Sequence, residues 1–267
     1  MENKYNMTVE DNVFFAKRNI VDLIFKSARL EGLAVTFPDT YSVVEGGIIN
    51  GMSFEDALII NNLKRAWRFV LSTIDYPVNF SYVCQIHRYV GESLDEYNAG
   101  FLRNKIIRVT MGDEEPFTPD MLIEADAREE IERFARVENT TDKAISMMLH
   151  LARRQMFNDG NKRVAMLAAN RIMIGGGAGV ISVPPTKLPG FVKCLTDYYR
   201  SGDMYQAKQF VYEHCIDGNG SERDIDTAGS AEKTSAPPQI RGANQKPRER
   251  TPAETPENEK HKNEPGR

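Results

Sequence analysis

The 267-residue chain contains 41% hydrophobic residues, enough to bury a substantial core in one large or two small domains. Its formal net charge of -4 argues against the broad basic face of a duplex-binding protein, so no nucleic-acid partner is expected. Cys84, Cys194 and Cys215 lie far apart without a CxxC pair, which indicates reduced thiols rather than a zinc site. The chain shows neither a basic-then-apolar leader nor a long apolar run, so we expect a cytoplasmic protein without a membrane partner.

The pattern of apolar residues three and four apart predicts a mainly helical body. In chain order we expect helices at Asp11–Gly32, Ser42–Ile49, Ser53–Val70, Asn79–Val90, Pro119–Phe134, Asp142–Phe157, Arg163–Ile174, Gly190–Tyr199 and Met204–Cys215. The segment Val35–Asp39, which contains Pro38, is predicted to be a loop. Ile107, Val109 and Met111 alternate with polar residues before Gly112, which predicts a short strand and turn.

Composition changes sharply after Ile216, because residues 217–267 contain no Phe, Tyr, Trp, Leu, Val or Met. Such a segment cannot bury enough apolar surface to offset the entropy lost on ordering. We therefore predict one helical domain at 1–216 and a disordered polar tail at 217–267. Its balanced charges and recurrent prolines favour a solvated spacer over a partner-binding arm.

The loop between the two most apolar helices, Gln155–Arg163, has the composition of an anion site. Gly160 permits a tight turn, and the following helix presents its positive end with Lys162 and Arg163 beside it. Asp159 could hold a magnesium ion that neutralises a bound phosphate. The residues alone also allow a simple Asp-Gly turn that joins two core helices.

The order of residues in this loop resembles the signature of the Fic/Doc (Fido) family: His, any, Phe, any, Asp or Glu, Gly, Asn, Gly or Lys, Arg. The matching positions are Phe157, Asp159, Gly160, Asn161 and Arg163. Ala99, Gly100 and Arg103, leading into Ile107–Gly112, resemble the family's β-hairpin flap. Glu45 and Gly46 resemble the family's segment upstream of the core, so the resemblance covers roughly residues 40–200. It implies an all-α fold with a small β-hairpin flap.

The resemblance implies transfer of AMP from ATP, or from another nucleoside triphosphate, to a hydroxyl of a protein target, while Doc-like members transfer phosphate. Asp159 would bind Mg²⁺, and the phosphates would be held by Asn158, Gly160, Asn161, Lys162 and Arg163. The flap residues Arg103, Ile107, Arg108 and Val109 would dock the target by strand addition. Lys162 is closer to the Doc-like form of the signature.

Two positions depart from the family pattern. Gln155 stands where the family has the histidine that takes the proton from the attacking hydroxyl, and an amide cannot do this near neutral pH. Met166 stands where many AMP-transferring members have an arginine that pairs with an inhibitory glutamate. Glu45 is the sequence candidate for that glutamate, although Tyr41 replaces the Ser or Thr that usually begins the inhibitory motif four residues earlier.

Three functions are compatible with these residues. The first is a nucleotide-dependent transferase that works slowly without the histidine. The second is a catalytically inactive module that binds a nucleotide or a peptide and acts with a regulatory partner. The third is a helical scaffold whose loop binds nothing. The target protein and the oligomeric state are not given by the sequence.

Overall fold

The computed structural model describes residues 1–47, 49–111 and 114–220. The predicted disordered tail lies outside the described residues from position 221 onward. The α-helices of the described part are α1 (Val9–Arg18), α2 (Ile20–Leu30), α3 (Phe37–Val44), α4 (Phe54–Ser72), α5 (Phe80–Val90), α6 (Glu124–Ala135), α7 (Thr140–Arg154), α8 (Asn161–Gly175), α9 (Leu188–Ser201) and α10 (Tyr205–His214). Short 3-10 turns lie at Asp95–Tyr97 and Pro185–Lys187. The predicted mainly helical fold is confirmed.

Polar side chains cap the helices that the sequence predicts best. The Ser53 hydroxyl accepts a hydrogen bond of 3.0 Å from the amide of Asp56 at the start of α4. Asn79 and Asn139 accept equivalent bonds of 2.9 Å at the starts of α5 and α7. Each cap satisfies an amide that has no partner within its helix.

The N-terminal region differs from the predicted single helix that starts at Asp11. Thr8 is the actual cap, and its hydroxyl accepts from the amide of Asp11 at 3.0 Å. Asn19 separates α1 from α2, and its side-chain amide donates to the carbonyl of Phe15 at 2.9 Å. A local side-chain hydrogen bond of this kind competes with the helical backbone bonds. The spacing of apolar residues does not reveal such a break between two helices.

The predicted loop at Val35–Asp39 is wrong, because α3 already begins at Phe37. Thr36 and Asp39 form a reciprocal capping box, and Pro38 lies in the first turn. Proline is compatible with that turn because its missing amide hydrogen would have had no helical partner. Pro38 therefore helps to start α3, whereas the sequence analysis expected it to prevent a helix.

Helix α8 lies at the centre of the domain. Nearly all of its residues from Val164 to Ile174 are buried, and it packs against α7, α5, α4 and α1. The chain segment just before α8 is thus held between two core helices. This arrangement gives the Gln155–Arg163 loop a rigid frame.

Two small antiparallel sheets complete the described structure. In the flap, β1 (Val109–Met111) pairs with β2 (Glu114–Phe117), with Val109 opposite Phe117 and an irregular register. The predicted strand at Ile107–Met111 is thus present but shorter, and the predicted turn residue Gly112 lies outside the described residues. The second sheet pairs β3 (Val180–Ile181) with β4 (Ile216–Asp217).

The second sheet was not predicted, and it includes Asp217, which the sequence analysis assigned to the tail. Two-residue strands are too short to leave a period in the sequence. Within the described part of the chain, no helix combines the length and apolar character needed to cross a membrane.

Candidate functional site

The loop between α7 and α8 begins and ends with residues in the left-handed backbone region. Gln155 has φ 50° and Gly160 has φ 75°. A β-carbon on Gly160 would lie 2.9 Å from Cγ1 of Val90, closer than normal packing permits. Glycine is therefore required at 160 both by conformation and by space. It brings the backbone of the loop against α5 just before α8 starts.

Asn161 closes the loop with its side-chain amide. Its Nδ2 donates to the carbonyl of Phe157 at 2.9 Å and to Oε1 of Gln155 at 3.0 Å, while its Oδ1 accepts from the amide of Phe157 at 2.9 Å. Asn161 is buried. Its side chain therefore shapes the loop from within, while the residue still contributes to the wall of the adjoining cavity.

Gln155 is only 7% exposed, and both ends of its amide are engaged. Nε2 donates to the carbonyl of Ala152 at 2.6 Å and lies 3.5 Å from the hydroxyl of Tyr199, and Oε1 accepts from Asn161. Burial raises the pKa of Tyr199 above its usual value, so this phenol stays protonated and donates to Ala152 at 2.6 Å. Gln155 thus connects α7, α9 and the loop through hydrogen bonds of its side chain.

Arg103 lies beneath the flap rather than on its surface. It is buried, its Nε donates to the carbonyl of Gln155 at 2.6 Å, and its backbone amide donates to the carbonyl of Met156 at 2.9 Å. Its Nη2 donates to the carbonyl of Asp120 at 2.5 Å. Arg103 therefore ties the segments on both sides of the flap to the loop. Of the predicted docking residues, Ile107, Arg108 and Val109 line the cavity.

His87 supports the loop from α5, a role that the sequence analysis did not identify. Its ring stacks on Phe157 at a centroid distance of 3.8 Å. Nδ1 accepts from the amide of Gly100 at 2.9 Å, which leaves the proton on Nε2, 3.2 Å from the carbonyl of Asp159. Burial lowers the pKa of His87 to about 4, so the ring is neutral at physiological pH. Its position on the buried face of α5 was the available signal.

The charged residues of the loop meet a carboxylate from a distant part of the sequence, Glu31 at the end of α2. Its Oε2 lies 3.1 Å from Nζ of Lys162, and its Oε1 lies 3.4 Å from Nε of Arg163. Arg163 is 3% exposed in its side chain, donates to the Tyr97 hydroxyl at 2.6 Å and lies 3.6 Å from Oδ1 of Asp159. Burial alone would raise the pKa of Glu31, but the charges of Lys162 and Arg163 outweigh it and lower that pKa.

Glu45, the glutamate selected from the sequence, does not take part in this cluster. It is exposed at the end of α3 and lines a different cavity, beside Lys64 and Arg68. The sequence analysis missed Glu31, although Ser27 stands four residues before it and Gly32 follows it. Glu31 therefore has the Ser or Thr four residues earlier that the inhibitory motif requires, whereas Glu45 has Tyr41 at that position.

One cavity of about 410 Å³ joins the loop, the flap and α9. Its walls include Asp159 and Lys162 from the loop, Ile107 to Met111 from the flap side, and Val192 and Tyr199 from α9. The buried Oδ1 of Asn158 and Nη1 of Arg163 have no hydrogen-bond partner among the described residues. Unsatisfied buried polar atoms are costly. Asn158 lines this space of ligand size, and the buried Arg163 lies behind the lining residues Asp159 and Lys162.

The carboxylate of Asp159 fits a magnesium ion that is bound together with phosphate. Its side chain is 59% exposed and lines the cavity. Among the described residues, there is no group of three or more side chains able to hold a metal alone. Magnesium commonly uses one or two carboxylates and completes its octahedron with water and substrate oxygens, which is what a single carboxylate at this position allows.

Comparison with known proteins places this loop in a family. Residues 77–173 match the model of the Fic/DOC family, and the match includes the whole loop and the α7–α8 pair that frames it. Residues 77–173 therefore carry a Fic/Doc domain, with Gln155 at the position where the family signature has histidine.

Two curated relatives are similar to most of this chain. It is 26% identical over 233 residues to the protein adenylyltransferase fic-1 of Caenorhabditis briggsae, which covers 82% of this chain and 43% of the relative. The Caenorhabditis elegans protein adenylyltransferase fic-1 is 26% identical over 229 residues, covering 80% and 42%. The chain thus spans less than half the length of these relatives.

Solved structures show the same fold. The Fic-1 fragment from C. elegans superposes with a TM-score of 0.63 at 20% identity, covering 74% of this chain and 62% of that one. A Fic domain containing signaling protein from Bacteroides thetaiotaomicron superposes with a TM-score of 0.65 at 16% identity, covering 78% and 85%. At these identities the similarity is one of architecture.

Proposed function

We propose that this protein binds a nucleoside triphosphate with Mg²⁺ in the cavity above the Gln155–Arg163 loop and transfers AMP to a hydroxyl of a protein target. The observation that carries the proposal is that Asp159 and Lys162, on either side of the Gly160 turn at the start of α8, line one cavity beneath the flap. A helix start with adjacent cations binds phosphates. The adenylyltransferase relatives, which share this part of the chain, support AMP as the transferred group; transfer of phosphate is the variant suggested by Lys162.

Each part of the cavity has a role in this proposal. Lys162 and the unpaired Nη1 of Arg163 would contact the phosphates, and Asp159 would hold the magnesium ion, which neutralises phosphate charge when bound. The open edge of the flap strand Val109–Met111 would pair with an extended segment of the target, since strand addition needs main-chain bonds and little side-chain specificity. This would place the target hydroxyl near the phosphates.

The proton of the attacking hydroxyl has no general base at position 155. Loss of such a base typically slows a reaction by about 10² to 10⁴. Phosphoryl-type transfer depends mainly on positioning and charge neutralisation, which the remaining residues supply. The proposed enzyme is therefore slow, and binding of the nucleotide is its most robust property.

Calorimetric titration with ATP in the presence and absence of magnesium tests the binding step. We expect magnesium-dependent binding that Asp159→Ala weakens by about tenfold or more. Glu129→Ala is the matched control, because it removes an exposed carboxylate of α6 outside the cavity. If none of the common nucleoside triphosphates binds, the proposal fails.

A second candidate, an inactive binding module, is favoured by the side chain of Gln155. Its amide is bonded at both ends within the protein, so it contributes structure rather than a proton acceptor. In this case the cavity and flap would bind a nucleotide or a peptide without transfer, in concert with a regulatory partner.

Mass spectrometry of candidate targets incubated with ATP, magnesium and either wild type or Gln155→His separates the two candidates. Modification by the wild type that Asp159→Ala abolishes establishes the transferase. Modification by Gln155→His alone establishes an intact site that lacks its base, and thus the inactive module.

A further inference from the structure

A second cavity lies among α1, α2, α3 and α4, away from the loop. Its volume is about 470 Å³, within the range of small-molecule sites. Ile20, Val44 and Leu71 supply its apolar walls. It shares no lining residue with the cavity above the Gln155–Arg163 loop. We call it the α1–α4 cleft.

Three cations border the α1–α4 cleft: Lys17 at the end of α1, and Lys64 and Arg68 one turn apart on α4. Glu45 is the single carboxylate in the lining, so these four side chains carry an excess of two positive charges. Like charges gathered around a low-dielectric space raise the local concentration of anions.

Within the part of the chain that the structure describes, no carboxylate neutralises the cations of the cleft. Lys64 donates its ammonium to the carbonyl of Val44 at the end of α3, which uses one of its three protons. Lys17 and Arg68 form no ion pair with any residue in the described ranges, and Glu45 lies beyond ion-pair distance from all three cations. By contrast, Arg65 on the same helix pairs with Glu92 at 2.8 Å.

We propose that the α1–α4 cleft binds a small organic anion with an apolar body, such as a medium-chain carboxylate. The anionic group would lie between Lys17 and Arg68, and the spare protons of Lys64 would face it. The hydrocarbon would cover Ile20, Val44 and Leu71. An inorganic anion would satisfy the charges and leave the apolar walls in water, so both halves of the ligand are needed.

The test uses the full chain and the fluorescent probe 8-anilinonaphthalene-1-sulfonate, which combines a sulfonate with aromatic rings. We expect saturable binding with one site per chain, weakened about tenfold or more by Arg68→Glu and by Lys17→Glu. Arg18→Glu is the matched control, because it makes the same charge change at the next, exposed position of α1, outside the cleft.

Competition then tests the class of ligand. Octanoate should displace the probe, while equal concentrations of 1-octanol or of inorganic phosphate should not. Equal probe binding by wild type, Arg68→Glu and Lys17→Glu overturns the proposal, as does weakening by Lys162→Glu, which would place the probe in the loop cavity. Because all three test substitutions are at exposed or half-buried side chains, far-UV circular dichroism should confirm an unchanged fold.

Discussion

The two ends of the Gln155–Arg163 loop use polar residues in opposite ways. At the first end, the amides of Gln155 and Asn161 bond to each other and to neighbouring carbonyls. At the second end, Lys162 and Arg163 converge on Glu31. Lys162 lines the cavity, and Nη1 of the buried Arg163 has no hydrogen-bond partner among the described residues. The hydrogen bonds at the first end fix the conformation of the loop. The charged side chains at the second end lie where a ligand could reach them.

The first end thus holds the shape of the loop, and the second keeps the charges on which the proposed nucleotide binding depends. The amides of Gln155 and Asn161 direct their donors to neighbouring carbonyls and to each other, and both residues also line the cavity. Charged groups remain attractive to an ion of opposite sign, even when an internal carboxylate already contacts them.

The largest expected effect is on the charged end. Arg163→Met should lower the free energy of unfolding by about 3 to 5 kcal/mol, because it leaves the carboxylate of Glu31 buried beside a single remaining cation. Urea denaturation measures this. Adding Glu31→Gln to Arg163→Met should recover part of the loss, and a loss unchanged by the second substitution would show that Glu31 is not the cause.

The second largest effect is expected at Gly160, the left-handed residue between the two ends of the loop. Gly160→Ala should lower the free energy of unfolding by about 2 to 3 kcal/mol, since left-handed strain adds to a clash with Val90. Gly46→Ala is the control: φ is 88° there, but no atom lies within 4 Å of the added carbon, so strain alone should cost about 1 kcal/mol. Equal losses would mean that the contact with Val90 is unimportant.

The carboxylate of Glu31, which contacts Lys162 and Arg163, should weaken the binding of phosphate groups. Glu31→Gln should tighten magnesium–ATP binding by about tenfold, or about 1.4 kcal/mol, because Lys162 and Arg163 lose their internal anion while the side-chain volume is kept. Calorimetry with Glu31→Gln and with Glu45→Gln provides the comparison. Glu45 lies in the other cavity, so tightening by its variant would contradict the assignment.

The smallest effect is expected at the neutral end. Tyr199→Phe removes the 2.6 Å hydrogen bond to the carbonyl of Ala152 and should lower the free energy of unfolding by about 1 kcal/mol. Nucleotide affinity should stay within about twofold of wild type, since that bond only stiffens the frame. A large loss of affinity with little loss of stability would mean that the Tyr199 hydroxyl, in the wall of the cavity, contacts the nucleotide directly.

The sequence by itself determined the helical class, the position of the loop and the family that the loop resembles. These depend on signals within one segment: the spacing of apolar residues, caps such as Ser53 and Asn79, and the order Phe157, Asp159, Gly160, Asn161 in one turn. The absence of the histidine at 155 was equally plain. A local feature needs only its neighbours in the chain to be recognised.

Only the tertiary structure decided which distant residues complete the site. Glu31 lies more than a hundred positions before Arg163, and His87 and Tyr199 reach the loop from α5 and α9. Glu45 was the sequence candidate because it resembles the family's inhibitory glutamate upstream of the core, whereas packing places Glu31 beside the cations. Contacts of this kind depend on how α2, α5 and α9 pack around α8. Even the Ser27–Glu31 spacing, which marks Glu31 as a candidate, does not encode which cations that carboxylate meets.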